Sequence, residues 1–172
     1  MELVFPTIQF KQDALDFRQE HFDVGEMTIH GSSRLHAAET YEEWLKKIRD
    51  DITRDDGTLV PATAYFGVQD GKIISTVQVR HRLNDNLFET GGHIGCSVRP
   101  SERGKGYSVK LLALALEKCR ELAIESVLVT CDKDNIASAK AIMKNGGIFE
   151  NEVAEGCGNI VQRYWISLQN IN

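Results

Sequence analysis

The sequence predicts one α/β domain in which a largely antiparallel, twisted sheet is flanked by helices. Three observations lead to this fold class: two amphipathic helical segments come first, a β-hairpin signal follows, and helix-like and strand-like runs then alternate. At 172 residues the chain is long enough for one core, and no repeat or linker divides it. Residues 1–172 are therefore predicted to form a single domain.

Two helices are predicted near the start of the chain. Apolar side chains recur near helical spacing in residues 10–22 (FKQDALDFRQEHF) and again in residues 40–52 (TYEEWLKKIRDDI). The second segment begins with a capping box, Thr40 and Glu43, whose side chains can satisfy amides at the helix start. Residues 25–39, between the two helices, are predicted to be a loop.

A hairpin and a third strand are predicted in the middle of the chain. Two β-branched runs, residues 61–69 and 72–83, flank Asp70 and Gly71, a pair that suits a type I′ turn. After a polar loop, residues 91–98 (GGHIGCSV) form the third strand, and its internal glycines allow another chain or a ligand to approach closely. This strand is expected to border a cleft.

The rest of the chain alternates helix and strand. A wide apolar stripe predicts a buried helix over residues 109–119, because such a stripe is too broad for a solvated surface helix. The remaining predicted elements are a strand over 126–131, a short helix after the N-cap Asn135, and strands over 147–153 and 159–168.

Composition and charge limit the class of protein. The formal net charge of −5 argues against a protein whose main task is to coat nucleic acid. The four cysteines form no CxxC pair and no secretory h-region opens the chain, so reduced thiols are expected. No apolar run approaches the roughly 20 residues of a membrane span. We therefore predict a cytoplasmic protein that contacts neither nucleic acid nor a membrane.

The most informative stretch joins the third strand to the long helix. Residues 99–108 (RPSERGKGYS) place glycines and positive charge where a strand ends and a helix begins. Amides at a helix start lack partners within the helix and carry partial positive charge, which suits a phosphate. Gly104 and Gly106 allow a phosphate to approach these amides, while Arg103 and Lys105 add attraction. The stretch therefore predicts an anion-binding loop.

Two familiar phosphate loops do not fit this stretch. The Walker pattern GxxxxGK followed by Ser or Thr is absent, and the dinucleotide pattern GxGxxG has Val109 at its third glycine position. A nucleotide-binding α/β domain would also need a mainly parallel sheet, whereas the predicted hairpin and the paired terminal strands indicate much antiparallel pairing. This interpretation ranks last.

The stretch instead resembles the signature of the GNAT superfamily of acyl-CoA N-acyltransferases. That signature is Arg or Gln, two residues, Gly, one residue, then Gly or Ala, and Arg103, Gly106 and Ser108 occupy the three positions. Ser108 departs from the pattern but is small. A second similarity is Asn135 followed by Ser138 after the strand SVLVTC.

The resemblance implies acetyl-CoA as the cosubstrate. Residues 91–98 and 126–131 would be parallel neighbours that splay apart, with the pantetheine arm between them and the pyrophosphate on the loop. The residues expected to bind acetyl-CoA are Cys96, Ser97, Val98, Arg103, Gly104, Lys105, Gly106, Tyr107, Ser108, Asn135 and Ser138.

The reaction implied by the resemblance is direct attack of an amine on the thioester. A backbone amide near residues 96–98 would polarise the carbonyl. His93 and Glu89 are the predicted bases, because they are the nearest titratable groups at the cleft end of the third strand. Family members often carry a Tyr as the acid four residues after the Ser, and this chain has Ile142 there.

The predicted function is transfer of an acetyl group to a primary amine on a small molecule, and the acidic balance favours a cationic acceptor. The alternative is a non-catalytic acyl-CoA sensor, which the missing Tyr supports. His30 and His36 are six residues apart without a carboxylate or cysteine set, so no metal site is predicted. A homodimer is left open.

Overall fold

The computed structural model describes residues 1–169 and contains the predicted helices and strands in the predicted order. Within this range the α-helices are α1 (Lys11–Asp23), α2 (Tyr41–Asp50), α3 (Tyr107–Glu121) and α4 (Ile136–Lys144). The strands of the same range are β1 (Glu2–Val4), β2 (Ala62–Gln69), β3 (Lys72–Arg80), β4 (Ile94–Val98), β5 (Ser126–Asp132), β6 (Ile148–Ala154) and β7 (Ile160–Ser167).

The strands form two antiparallel sheets. The first has the order β1-β2-β3-β4 and the second the order β5-β7-β6. The β2-β3 hairpin turns through Asp70 (φ 52°) and Gly71 (φ 79°), and positive φ at both positions confirms the predicted type I′ geometry. Because every hydrogen-bonded strand pair in residues 1–169 is antiparallel, the doubly wound nucleotide-binding alternative is excluded.

Two apolar cores lie on opposite faces of the first sheet. On one face α3 packs its buried stripe, including Leu111 and Leu116, against Val77 and Val79 of β3. On the other face α1 and α2 cover β2, and Trp44 stacks on Phe66 with ring centroids 5.5 Å apart. Side chains alternate between the faces of a strand, so Val77 and Val79 face α3 while Gln78 and Arg80 face the α1-α2 side. Near the start of β3 a register shift interrupts this alternation, and Ile73 packs in the α1-α2 core.

Three features differ from the sequence-based expectation. Strand β1 was not predicted, because three residues are too few to show a period of two. The helix α3 begins at Tyr107, before the apolar stripe, directly after the left-handed Gly106 (φ 82°). The polar loop before β4 contains one π-helical turn, Leu87–Gly91, and the amide of Leu87 donates to Asn84 Oδ1 at 2.9 Å.

Candidate active site

The strands β4 and β5 belong to different sheets and meet at one point. The amide of His93 donates to the carbonyl of Leu128 at 2.7 Å. From this contact both strands run toward a cavity that Gly95 and Cys96 line on one side and Cys131 lines on the other. They are therefore parallel neighbours that diverge, which is the splayed pair that the family resemblance implied.

The backbone of β4 directs alternate amides into the gap between the two strands. Near the two ends of β4, hydrogen bonds to β3 are made by odd-numbered residues, the carbonyl of His93 and the amide of Arg99, each at 2.8 Å. Antiparallel ladders alternate, so the amides of Cys96 and Val98 point away from β3 toward the gap. The amide of Ser97 points to β3, which narrows the predicted oxyanion donor to Cys96 or Val98.

The cavity in this gap has a volume of about 420 Å³. At one end it is lined by residues at the starts of α3 and α4, Ser108, Asn135 and Ser138. It then passes between β4 and β5 and reaches Arg80 and His30 at the other end. Among the predicted cosubstrate-binding residues, Cys96, Ser108, Asn135 and Ser138 line this cavity.

The predicted anion loop lies at the start of α3. Gly104 (φ 77°) and Gly106 (φ 82°) are both left-handed, and a β-carbon added at either would have no atom within 4 Å. This open space is where a phosphate can approach the backbone. The amides of Tyr107 and Ser108 lack partners within the helix because they lie at its start. No side chain caps α3, and its first turn has no acidic residue that could take their place. The loop geometry fits a pyrophosphate.

The two basic side chains of this loop are paired in the structure. Arg103 donates from Nη1 and Nη2 to the Glu26 carboxylate at 2.6 and 2.7 Å, and Lys105 donates to Glu102 at 2.7 Å. The hydrogen bond from Arg103 holds the pKa of Glu26 at about 2. The attraction predicted from these side chains is therefore largely neutralised by neighbouring acids, which leaves the backbone amides as the free donors.

A buried arginine anchors the loop to α1. Arg99 is 1% exposed and donates to Asp13 Oδ1 at 2.7 Å, with Glu20 Oε1 at 3.3 Å from its Nε. Ser101 also donates to Glu20, at 2.7 Å. This anchor was not predicted from the sequence. Its only signal there is that the two α1 acids are seven residues apart and so share a helix face.

The second predicted motif forms the start of α4. Asn135 is the N-cap, as predicted, and its Oδ1 accepts from the amide of Ser138 at 3.0 Å. Ile142, one turn further on, is 3% exposed and lines the cavity where family members often have Tyr. Burial raises the pKa of both Cys96 and Cys131 to about 11, so both are protonated thiols rather than nucleophilic thiolates at neutral pH.

The two predicted bases lie outside the lining of the cavity. His93 is 6% exposed, its Nδ1 accepts from the amide of Leu128 at 3.0 Å, and burial lowers its pKa to about 4. Glu89 is exposed on the π-helical turn. The catalytic role of each stays a prediction, and the contacts of His93 weigh against it because its Nδ1 already serves as an acceptor inside the fold.

A second cavity of about 270 Å³ lies on the α1-α2 face of the first sheet. It shares His30, Gly31 and Arg80 with the first cavity, so the two meet at these residues. A β-carbon on Gly31 would lie 2.0 Å from the carbonyl oxygen of Gly95, which requires glycine at this contact. The close approach predicted for β4 is thus partly made by the loop between α1 and α2.

Among residues 1–169 no group of three or more His, Cys, Asp and Glu side chains is placed to hold a metal ion. Within the same residues no helix is both long enough and apolar enough to cross a membrane.

The splayed strands β4 and β5 and the glycine loop before α3 define a class of fold, and comparison of the chain with known protein families identifies the family. The family model described as "Acetyltransferase (GNAT) family" matches residues 29–146. The chain therefore belongs to the GNAT acetyltransferase family. A search of curated protein sequences gives no match.

Solved structures with low sequence identity share the fold. The microcin self-immunity acetyltransferase MccE, in complex with acetyl-CoA and AMP, is 14% identical, with a TM-score of 0.68, covering 96% of this chain and 91% of its own. The enzyme AAC(6')-Ib, in complex with ribostamycin and coenzyme A, is 15% identical, with a TM-score of 0.69 and coverages of 98% and 93%. A mutant of the spermidine N-acetyltransferase SpeG from Vibrio cholerae is 14% identical, with a TM-score of 0.65 and coverages of 97% and 95%.

Proposed function

We propose that this chain transfers the acetyl group of acetyl-CoA to the primary amine of a small molecule. The observation that carries the proposal is the pair of connected cavities. One runs from the start of α3 through the gap between β4 and β5, and the other joins it at His30, Gly31 and Arg80. A cosubstrate in the first cavity and an acceptor in the second would meet beside β4. The solved structures with acetyl-CoA, or with ribostamycin and coenzyme A, support this class of substrates.

The cosubstrate end of this site is made mainly of backbone. The pyrophosphate of acetyl-CoA would lie against the amides of Tyr107 and Ser108, in the space left open by Gly104 and Gly106. The pantetheine arm would extend between β4 and β5 past Ser138. The thioester would then reach the part of β4 where alternate amides face the gap.

The proposed chemistry is direct attack on the thioester. The neutral amine forms a bond to the carbonyl carbon, the carbon–sulfur bond breaks, and the products are an acetamide and free CoA. The amide of Cys96 or Val98 donates to the oxygen that becomes negative. The amine loses one proton and the CoA thiolate gains one, so the overall reaction needs a proton acceptor and a proton donor but no redox partner.

Within this proposal, His30 is the group that takes the proton from the amine. Its side chain is exposed, lines both cavities and makes no side-chain hydrogen bond within residues 1–169. Its chain neighbour Gly31 lies directly against Gly95 of β4. An imidazole at this position is accessible to an incoming amine, whereas His93 is enclosed. Neither cysteine in the cavity is needed as a nucleophile.

The rival function is a sensor that binds acyl-CoA without turnover, and Ile142 is the observation that favours it. Two measurements on the same protein separate the functions. Acetyl-CoA at about 100 times its dissociation constant should stabilise the fold by about 2.7 kcal/mol. Release of free CoA should then depend on added amine across amino acids, peptides, polyamines and aminoglycosides. Stabilisation with no turnover of any amine supports the sensor; no stabilisation contradicts both.

A further inference from the structure

Arg80 lies where the two cavities meet, and its contacts leave part of its guanidinium free. Its Nη1 donates to the carbonyls of Gly91 and Gly92 at 2.7 and 3.0 Å. The Nε and Nη2 atoms make no hydrogen bond to the described residues, and neither is sealed from solvent. The two hydrogen bonds of Nη1 therefore fix the side chain, and Nε and Nη2 face the cavities.

Arg80 also lacks the acidic partner that other enclosed arginines have. Arg99 pairs with Asp13, and Arg163 with Glu150 at 2.8 Å. Within residues 1–169, no carboxylate lies within ion-pair distance of Arg80. Burial lowers the pKa of Arg80, so its charge is held at a cost in free energy that a bound anion would offset.

The charges around the second cavity do not supply that anion. Lys47 and Asp51 line it but pair with each other. Arg34 lines it and forms no ion pair with a described residue. The lining thus carries a local excess of positive charge, although the chain as a whole has a net charge of −5.

We infer that Arg80 binds a carboxylate carried by the acceptor, so that the substrate is an amino acid rather than a polyamine or an aminoglycoside. This inference rests on the proposed function and names the substrate class of the same site. A guanidinium with two free N–H groups matches a carboxylate, which can accept both. The sequence-based preference for a cationic acceptor followed the net charge of the chain, whereas this inference follows the local charge of the cavity.

The position of Arg80 also limits the length of the substrate. Its Nη2 is 3.2 Å from where a β-carbon on Gly95 would lie, and Gly95 directly precedes Cys96, whose amide faces the thioester gap. The carboxylate would therefore lie close to the reacting carbonyl. An amine separated from its carboxylate by one or two carbons fits this spacing, which describes α- and β-amino acids.

The test compares each amino acid with its own carboxamide. The specificity constant kcat/KM for CoA release is measured with acetyl-CoA and with pairs such as alanine and alaninamide, or β-alanine and its amide. The ratio of kcat/KM for the acid to kcat/KM for its amide should be about 10- to 100-fold higher in the wild-type chain than in Arg80→Gln, the range for a hydrogen-bonded charged group. The differing basicity of the two amines cancels when the ratios of the two proteins are compared.

Control variants separate recognition from folding. Arg80→Lys keeps the charge without the fork and should give an intermediate ratio, and Arg49→Gln removes an exposed positive charge on α2 and should leave the ratio unchanged. Uniform loss of activity toward acids and amides in Arg80→Gln would leave the ratio unchanged, which would indicate a structural role and overturn the inference. Wild-type turnover of polyamines at rates equal to amino acids would overturn it as well. Bound acetyl-CoA with no amine turned over would instead overturn the proposed function, and the inference with it.

Discussion

The two ends of the first cavity present different kinds of polar group. At the cosubstrate end the donors are backbone amides at the start of α3, and the nearby cations Arg103 and Lys105 are paired with acids. At the acceptor end the polar groups are side chains, Arg80 and His30, without an acidic partner in the described chain. A surface made of backbone can bind the same ligand through many sequence changes, whereas a surface made of side chains changes its ligand with each substitution.

From this contrast we expect acetyl-CoA binding to be lost only when access to the backbone amides at the start of α3 is blocked. Gly106→Asp adds bulk and a negative charge beside the amides that would hold the pyrophosphate. Because like-charge contact costs several kcal/mol, we expect acetyl-CoA affinity to fall by about 1,000-fold in a calorimetric titration.

The chain offers a matched control for this change. Gly57 also has a positive φ (84°) and open space where a β-carbon would lie, but it lines neither cavity. Gly57→Asp should share any cost of the left-handed conformation and retain full affinity. Equal affinity in both variants would place the phosphates elsewhere.

A second prediction concerns His93, which joins the two strands at the closed end of the gap. Burial lowers its pKa from 6.5 to about 4, so the unfolded chain binds a proton at this site between these pH values and the folded chain does not. The stability should therefore fall as the pH drops from about 6.5 to about 4, by about 3 kcal/mol in total from this residue.

The variant His93→Asn isolates that contribution. Its Oδ1 can accept from the amide of Leu128 as Nδ1 does, but it does not titrate. Denaturant unfolding at pH 7.5 and pH 4.5 should show a smaller loss of stability than in the wild-type chain. Other histidines with lowered pKa, such as His21 and His36, keep part of the pH dependence in both proteins. Identical losses would show that His93 is not the enclosed neutral imidazole described.

How much the sequence could predict follows the same division. The cosubstrate end comes from contiguous segments, residues 99–108 and 135–138, so local patterns predicted its loop, its N-cap and its strand-helix order. The acceptor end brings His30 and Arg80 together from separate elements, and no local spacing links them. The sequence could likewise not show that Glu26 neutralises Arg103, because that pair depends on how the segment after α1 packs.

A third prediction compares the two histidines as bases. His30→Gln removes the accessible imidazole at the meeting point of the cavities, and general-base catalysis typically contributes at least about 100-fold. We expect kcat to fall by about that factor while acetyl-CoA affinity stays constant. His93→Asn, in the same assay, should keep most of its turnover. The reverse result would indicate that His93 is the base. If kcat falls in neither variant, Glu89 or water would be the proton acceptor.

The smallest expected effect tests whether the paired charges of the loop matter for binding. Glu26→Gln removes the carboxylate that now accepts two hydrogen bonds from Arg103, so the guanidinium becomes free for a phosphate. Exposed ion pairs of this kind are worth at most about 1 kcal/mol, so acetyl-CoA affinity should rise by only about 3- to 5-fold and depend more strongly on salt.

Glu39→Gln, which removes an exposed acid far from the loop in sequence, controls for the change in net charge. The Glu26 carboxylate also contacts His21 Nδ1 at 2.7 Å. Because the pKa of Glu26 is about 2 and burial lowers the pKa of His21, neither group titrates between pH 7 and pH 8, and the difference between wild-type and Glu26→Gln should not change over that range. A weaker affinity in Glu26→Gln would mean that the carboxylate positions Arg103 for the phosphate rather than competing with it, and the cosubstrate end would then depend on a side chain after all.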